Sequence, residues 1–390
     1  MKKYILITGG ELYNKGAQAM TFITVERMKA KFPDCKCVLF SNRDAKRSKQ
    51  EKEAYTFSIV RRPSRKEVLF LSIPGLRTLL GNQKYLEYYK HAVLQIDISG
   101  YGFGSNWGNS KCLNYLRLIR LAKVYRVPVY LMSQSFGPLE FKGKKGRLID
   151  WLSRQVLKYP ELIMAREDEG KRLLEEKYHL TNVIKANDIV LSNSKAVDLN
   201  SIYKTHVEIR EISVCDHSVA VIPNSKNFKY GDREKIYSLY HKMIARLLVY
   251  GKTVYLLFHS SEDKAICEKI YEDYANDPHV IFVGEEFSSL EFDSMIGKFD
   301  YVIASRFHSI VHAYKNATPA LIMGWATKYT DLASMFNQRK YQFNIVSDFD
   351  EDELFASLDH LNCSYHSESK NIADRLKEYQ AIDLFDLVKL

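Results

Sequence analysis

Nothing in the 390-residue chain stays apolar for long. The longest runs, such as VLFLSIPGL at 68–76 and IVLS at 189–192, fall well short of the ~20 residues that a membrane-spanning helix requires. Cysteine is sparse. Of the six, only Cys35 and Cys37 lie close together, so neither a disulfide framework nor a zinc site built from paired half-sites is expected. Reduced, packed thiols in a cytoplasmic protein are the expectation. The N-terminus MKKYILITGG is apolar too briefly before its glycine pair to form a signal-peptide core, and reads as a first strand. Internal repeats, low-complexity tracts and the G-x-G-x-x-G spacing of a dinucleotide fingerprint are also missing, which argues against a nicotinamide cofactor.

What is present is an ordinary globular composition, 46% hydrophobic and 27% charged, with room for two domains that each bury a core. Lysine and arginine exceed the acids by ten, giving a net charge of +10 and favouring an anionic partner. The basic residues are interspersed with acids and form no recognised reader motif, so nucleic acid is not that partner.

Short apolar or β-branched runs alternate with helical spacing, the mark of βαβ units and parallel sheets. Strands are expected at 4–8, 37–41, 92–99, 129–135, 161–165 and 182–186, with helices at 15–31, 113–126, 145–158 and 168–178. A polar stretch at 192–217 interrupts the alternation. It restarts with strands at 218–224, 253–259, 279–284, 300–305 and 319–324. The fold class is therefore α/β and GT-B-like: two Rossmann-type, doubly wound parallel-sheet domains facing a cleft. The expected bounds are 1–195 for an acceptor-side domain, 196–365 for a donor-side domain, and 366–390 for a helix crossing back to the first.

Ligands of such sheets bind beyond the carboxyl ends of the strands, so the strand ends carry the chemistry. After the first strand come Gly9-Gly10 and then Asn14-Lys15-Gly16 at a helix start, a turn suited to close backbone approach and to an anion. After the strand at 92–99, glycines 100, 102, 104 and 108 interleave with Tyr101, Phe103 and Trp107, whose faces suit a sugar ring. Gln134 lies in the polar turn Ser133–Pro138. Arg166, directly after a strand and before three acids, calls for an anionic ligand or a neighbouring carboxylate.

The sharpest segment is 300–332. Ser305 reads as an N-cap, with Arg306 and His308 in the first helical turn, where cations oppose the helix dipole unless an anion lies between them. Lys328 follows the next strand and is expected in the same pocket. His308 and His312 share a helix face, but no carboxylate or cysteine stands beside them in sequence. A metal site is not expected.

Taken in order, N-K-G-A-x-A-M (14–20), Q-S-x-G-P (134–138), Arg166 before Asp168, Ile222-Pro223-Asn224 and S-R-F-H (305–308) with Pro319 and Lys328 resemble the polysaccharide pyruvyl transferase family over residues 4–332. The resemblance implies transfer of a pyruvyl group from phosphoenolpyruvate to two hydroxyls of a sugar, forming a cyclic ketal in exopolysaccharide or capsule biosynthesis. It implies functional residues at Arg166, His308 and Lys328. A phosphoenolpyruvate site suits arginines and lysines, which grip carboxylate and phosphate, and a histidine that moves protons. Substrate contacts are expected from Arg306, Ser305, Asn14, Lys15, Gln134, Tyr101 and Trp107, with no cofactor and no metal.

The alternative is a GT-B glycosyltransferase using a nucleotide sugar, with Asp331, Asp348 or Asp350 on the ribose. A third is a non-catalytic glycan-binding partner. The segment 61–90 places four cations ahead of Val68, Leu69, Phe70 and Leu71, a composition that docks on anionic membranes and suits an acceptor linked to polyprenyl diphosphate.

Overall fold

The computed structural model describes residues 2–64, 66–68 and 84–390. The apolar part of the segment expected to dock on membranes, 69–83, lies outside them. The chain forms two compact units. The first comprises the residues up to Tyr13, Ala17–Val207 and Ile382–Leu390; the second comprises Asn14–Gly16 and Glu208–Ala381.

The first unit holds a seven-stranded sheet of β1 (Lys3–Thr8), β2 (Cys35–Phe40), β3 (Ser58–Val60), β4 (Ala92–Asp97), β5 (Val129–Gln134), β6 (Leu162–Ala165) and β7 (Val183–Lys185). Their order is β3-β2-β1-β4-β5-β6-β7 and every pairing is parallel. Helices cover both faces of such a sheet, so its strands read as continuous apolar runs rather than as alternating ones. All six residues of β5 are buried. Leu6, Val38, Leu131 and Ile163 form its core with Leu116 and Ile119 of the helix Asn109–Val124. Gly9, at φ +81° just past β1, closes the first turn: a Cβ there would stand 2.3 Å from Ser99 Oγ.

The second unit repeats the plan with β8 (Ser218–Ile222), β9 (Thr253–Leu256), β10 (Val280–Phe282), β11 (Tyr301–Ala304), β12 (Ala320–Met323) and β13 (Gln342–Phe343). The order β10-β9-β8-β11-β12-β13 is again wholly parallel. Val221, Ile303 and Leu321 pack with Tyr240 and Met243 of the helix Arg233–Val249, and with Leu354 and Leu358.

The expected strands are present, and the two-domain α/β class holds. Two short edge strands, β3 and β13, have no counterpart in the sequence reading. The C-terminal helix begins earlier than spacing suggested, running Glu351–Gln380 with Asp350 as its cap. The chain then turns, and Ile382–Leu390 packs within the first unit: Asp383 pairs with Arg27, Phe385 O accepts from Lys31 Nζ at 2.7 Å, and Val388 is fully buried.

Candidate functional site

In each sheet the strand order reverses beside its first strand, at β1/β4 and at β8/β11, and the residues just past those ends are the ones to examine.

In the second unit, β11 leads into Ser305, whose N–H continues the ladder to Ile222 O at 3.1 Å. Ser305 is not the helix cap. Its buried hydroxyl lies 2.9 Å from the Tyr240 hydroxyl, and its carbonyl accepts from Asn224 Nδ2 and Tyr329 OH, both at 3.0 Å. The cap position belongs to Arg306, with extended backbone (φ −96°, ψ 131°), and the helix runs Phe307–Lys315. The expectation of an uncompensated arginine in the first turn is thereby corrected. Arg306 Nε donates to Asp263 Oδ2 at 2.8 Å, and its Nη2 donates to Asp263 Oδ1 at 2.6 Å and Glu262 Oε1 at 2.5 Å. Burial works against its charge, but these carboxylates outweigh it and raise the guanidinium pKa.

His308 is the second residue of the helix. Its ring lies so close to Gly16 that a Cβ on that glycine would fall 2.1 Å from His308 Cγ, so a side chain at position 16 would displace the imidazole. Beside it in the tripeptide, Lys15 Nζ donates to the carbonyls of His259 at 3.0 Å and Phe258 at 3.4 Å. Burial pulls the Lys15 amine down to about 8. Asn14, next in sequence, is half-buried. Lys328 Nζ lies 4.9 Å from the ring centre of Phe307, between Arg306 and His308 in sequence.

Three residues of this neighbourhood escaped the sequence reading. His259, just past β9, is fully enclosed; its ring meets Phe292 edge-on at 5.2 Å and lies 6.4 Å from that of His312. Neither ring nitrogen has a hydrogen-bond partner among the described residues. Burial, then the nearby charges of Lys15 and His312, hold its pKa well below 6.5. Asp293 supplies the carboxylate that seemed missing: it binds His312 Nδ1 at 2.7 Å and Lys315 Nζ at 2.7 Å. Burial raises its pKa, but those two partners lower it further, below the usual carboxylate range. His312 is thus tied to Asp293, and its Nε2 has no partner among the described residues. Asp263 is the third.

In the first unit a pocket of about 480 Å³ opens past β1 and β4, lined among others by Asp97, Tyr101, Trp107, Arg62, Lys111 and Arg117. Tyr101 and Trp107 stand 5.2 Å apart, and Lys111 Nζ lies 4.3 Å from the indole centre. Trp107 is 39% exposed. Asp97 is held by Thr8 Oγ1 at 2.6 Å, the Ser99 N–H at 3.0 Å and Gln134 Nε2 at 3.2 Å. Gln134 is fully buried and also accepts from Tyr115 OH at 2.9 Å, so it orients the floor of the pocket. Arg166, 8% exposed, pairs with Asp188 at 2.8 Å and donates to Ser133 O at 3.2 Å. Of the two anions expected for Arg166, the fold supplies the carboxylate.

The site residues fall into two groups, each within its own unit. Gln134, Arg166, Tyr101 and Trp107 belong to the first; Asn14, Lys15, Ser305, Arg306, His308 and Lys328 belong to the second.

Solved structures share this fold at low identity. UDP-GlcNAc 2-epimerase from Methanocaldococcus jannaschii matches with a TM-score of 0.54 at 12% identity, over 92% of each chain. UGT71G1 of Medicago truncatula, complexed with UDP-glucose, matches with a TM-score of 0.55 at 11% identity, over 97% of this chain and 94% of that one. A glycosyltransferase from Rickettsia africae matches with a TM-score of 0.55 at 9% identity, over 97% of this chain and 96% of that one. These likenesses bear out the GT-B-like fold class. No curated protein matches the sequence significantly. The model of the polysaccharide pyruvyl transferase family matches residues 14–327, a span that takes in Lys15, Trp107, Arg166 and the Ser305–His308 segment. The chain belongs to the polysaccharide pyruvyl transferase family.

Proposed function

We propose that the protein transfers the pyruvyl group of phosphoenolpyruvate to two hydroxyls of a sugar, releasing inorganic phosphate and leaving a cyclic ketal. The observation that carries this reading is the family match over residues 14–327, with the His308 imidazole at the head of a helix against Gly16, Lys15 buried next to that glycine in sequence, and Lys328 4.9 Å from the ring of Phe307. One sugar hydroxyl adds to C2 of the enol ester while a proton goes to C3, which becomes the methyl group. The second hydroxyl then displaces phosphate from C2, its proton leaving with the phosphate. His308 holds the proton in transit. Lys328 and Lys15 compensate charge on the departing phosphate. His259, with both ring nitrogens available, hydrogen-bonds a donor oxygen. Arg306, neutralised by Asp263 and Glu262, fixes the approach to the helix. Arg166 acts likewise on its side, through Asp188. No electrons are exchanged, so the chemistry calls for no redox cofactor.

The acceptor lies in the pocket of the first unit, a sugar ring on Trp107 and Tyr101. Arg62, Lys111 and Arg117 suit a polyprenyl diphosphate carrier, as in capsule or exopolysaccharide assembly at the cytoplasmic face of a membrane. Among the described residues no helix is long and apolar enough to cross one. The second reading, a nucleotide-sugar glycosyltransferase, draws on the fold shared with UGT71G1 and the Rickettsia enzyme. Of the ribose candidates, Asp350 is engaged as a helix cap, accepting from the Glu353 N–H at 3.0 Å. Thermal protection by phosphoenolpyruvate, with phosphate release and a ketal methyl signal once a sugar acceptor is added, supports pyruvyl transfer. Protection by UDP-, GDP- or CDP-sugars alone favours the second reading.

A further inference from the structure

The helix Gly143–Val156 in the first unit presents an unusual outer face. Its inner side is small or aliphatic: Gly146, Ile149, Ser153 and Val156 are buried. Gly146 abuts the backbone of Phe141 so closely that a Cβ would come within 2.5 Å of it, which fixes the helix in place. At ~100° per residue, Lys144, Arg147, Leu148, Trp151, Arg154 and Gln155 fall together in an outward arc about 120° wide. Leu148 is 46% exposed and Trp151 59% exposed, neighbours at i,i+3, with Trp151 in the middle of that arc and Leu148 at its edge. Lys142, Lys145 and Lys158 add to the rim, and all six cations are exposed. None of the six forms an ion pair with a carboxylate among the described residues. The helix's one acid, Asp150, is occupied by Lys177 at 2.9 Å and Tyr178 OH at 3.0 Å. Glu140 is the nearest other exposed acid in sequence.

Large apolar side chains held outward among cations that form no ion pair with a carboxylate among the described residues cost solubility unless something covers them. We propose that this face docks the protein on an anionic lipid bilayer, Leu148 and Trp151 entering the headgroup layer while the ring of lysines and arginines meets the lipid phosphates. Charge complementarity selects an anionic occupant, and the two apolar side chains select one with an accessible hydrocarbon boundary, which a nucleic acid lacks. Tryptophan favours that boundary because its ring is apolar and its N–H still finds a polar partner. The surface is independent of the transfer chemistry, since none of these residues belongs to either site.

The test uses the full chain, sedimented with vesicles of equal parts phosphatidylglycerol and phosphatidylcholine and with vesicles of phosphatidylcholine alone. Binding is expected only to the anionic vesicles, weakening as salt is raised. Lys144→Ser/Lys145→Ser/Arg147→Ser and Leu148→Ser/Trp151→Ser should each lower partitioning about tenfold or more, with melting temperature and transfer to a soluble acceptor unchanged. Trp151→Phe should abolish the blue shift in tryptophan emission on binding. Absence of binding at low salt, or variants that bind as well as the parent, would overturn the proposal. So would equal affinity for a DNA oligomer that ignores the loss of Leu148 and Trp151.

Discussion

The two units have the same sheet plan and differ in how the polar groups past their strand ends are satisfied. In the first unit they close on one another: Asp97 with Thr8, Ser99 and Gln134, Arg166 with Asp188, and Ser135 with Glu167 at 2.6 Å. That end is a preset floor beneath an open pocket, suited to hold a polyol that needs orientation. In the second unit the arginine is closed off by Asp263 and Glu262, yet His259 and His312 keep buried ring nitrogens without partners among the described residues. Leaving such groups unmet costs about 1–3 kcal/mol each. On the function proposed above, one topology would serve positioning in one unit and proton and anion chemistry in the other.

The strongest way to break this division is His308→Ala. It should lower the turnover of pyruvyl transfer by about 10²- to 10⁴-fold while the melting temperature stays near that of the parent. Wild-type phosphate release by the variant would remove the second unit from the chemistry.

Next are the two arginines, which the comparison treats as equivalent in kind. Arg306→Ala leaves Asp263, and Arg166→Ala leaves Asp188, as buried acids without their counter-ion. Each should cost about 3–5 kcal/mol in denaturant unfolding. A gain in stability from Arg306→Ala, the outcome expected of an uncompensated cation, would mean that the Asp263 pair is not formed in solution.

A pH series sharpens the contrast further. Because burial lowers the folded-state pKa of Lys15 to about 8 from 10.5, the unfolded chain binds more protons between those values. Stability attributable to this group should therefore rise as pH increases from about 8 to 10.5, by on the order of 3 kcal/mol. Comparing the parent with Lys15→Met over that window isolates the effect; parallel curves would reject it.

The smallest effect concerns His259. His259→Phe replaces two unmet nitrogens by apolar surface and should leave the free protein equally stable or more stable by about 1 kcal/mol. The folded-state pKa of His259 is depressed, so stability now lost as pH falls below 6.5 should be retained in the variant. Phosphoenolpyruvate affinity, read by calorimetry, should fall about tenfold if the ring contacts the donor. Unchanged affinity would leave His259 a packing residue.

The fold was legible because parallel strands buried on both faces print as apolar runs, such as VYLM in β5 and YVIA in β11. The edge strands β3 and β13 escaped because two or three half-buried residues carry no period. In the site, position past a strand end was readable and pairing was not. Asp263 lies 43 residues from Arg306 and Asp293 lies 19 from His312, separations that no local spacing reveals. His259 carried a usable signal, a lone histidine ending the apolar run TVYLLFH at a strand's carboxyl end. The rule that selected Ser305–His308 would have selected it too.

The segment Ile382–Leu390 has a consequence for how the protein is made. It belongs to the first unit, with Val388 fully buried and the Lys389 N–H donating to Tyr130 OH at 3.1 Å, yet the whole of residues 208–381 precedes it in the chain. During synthesis the first unit therefore lacks part of its own packing until residues 208–381 have been made. Closing it requires a contact of very long sequence separation, the slowest kind to form.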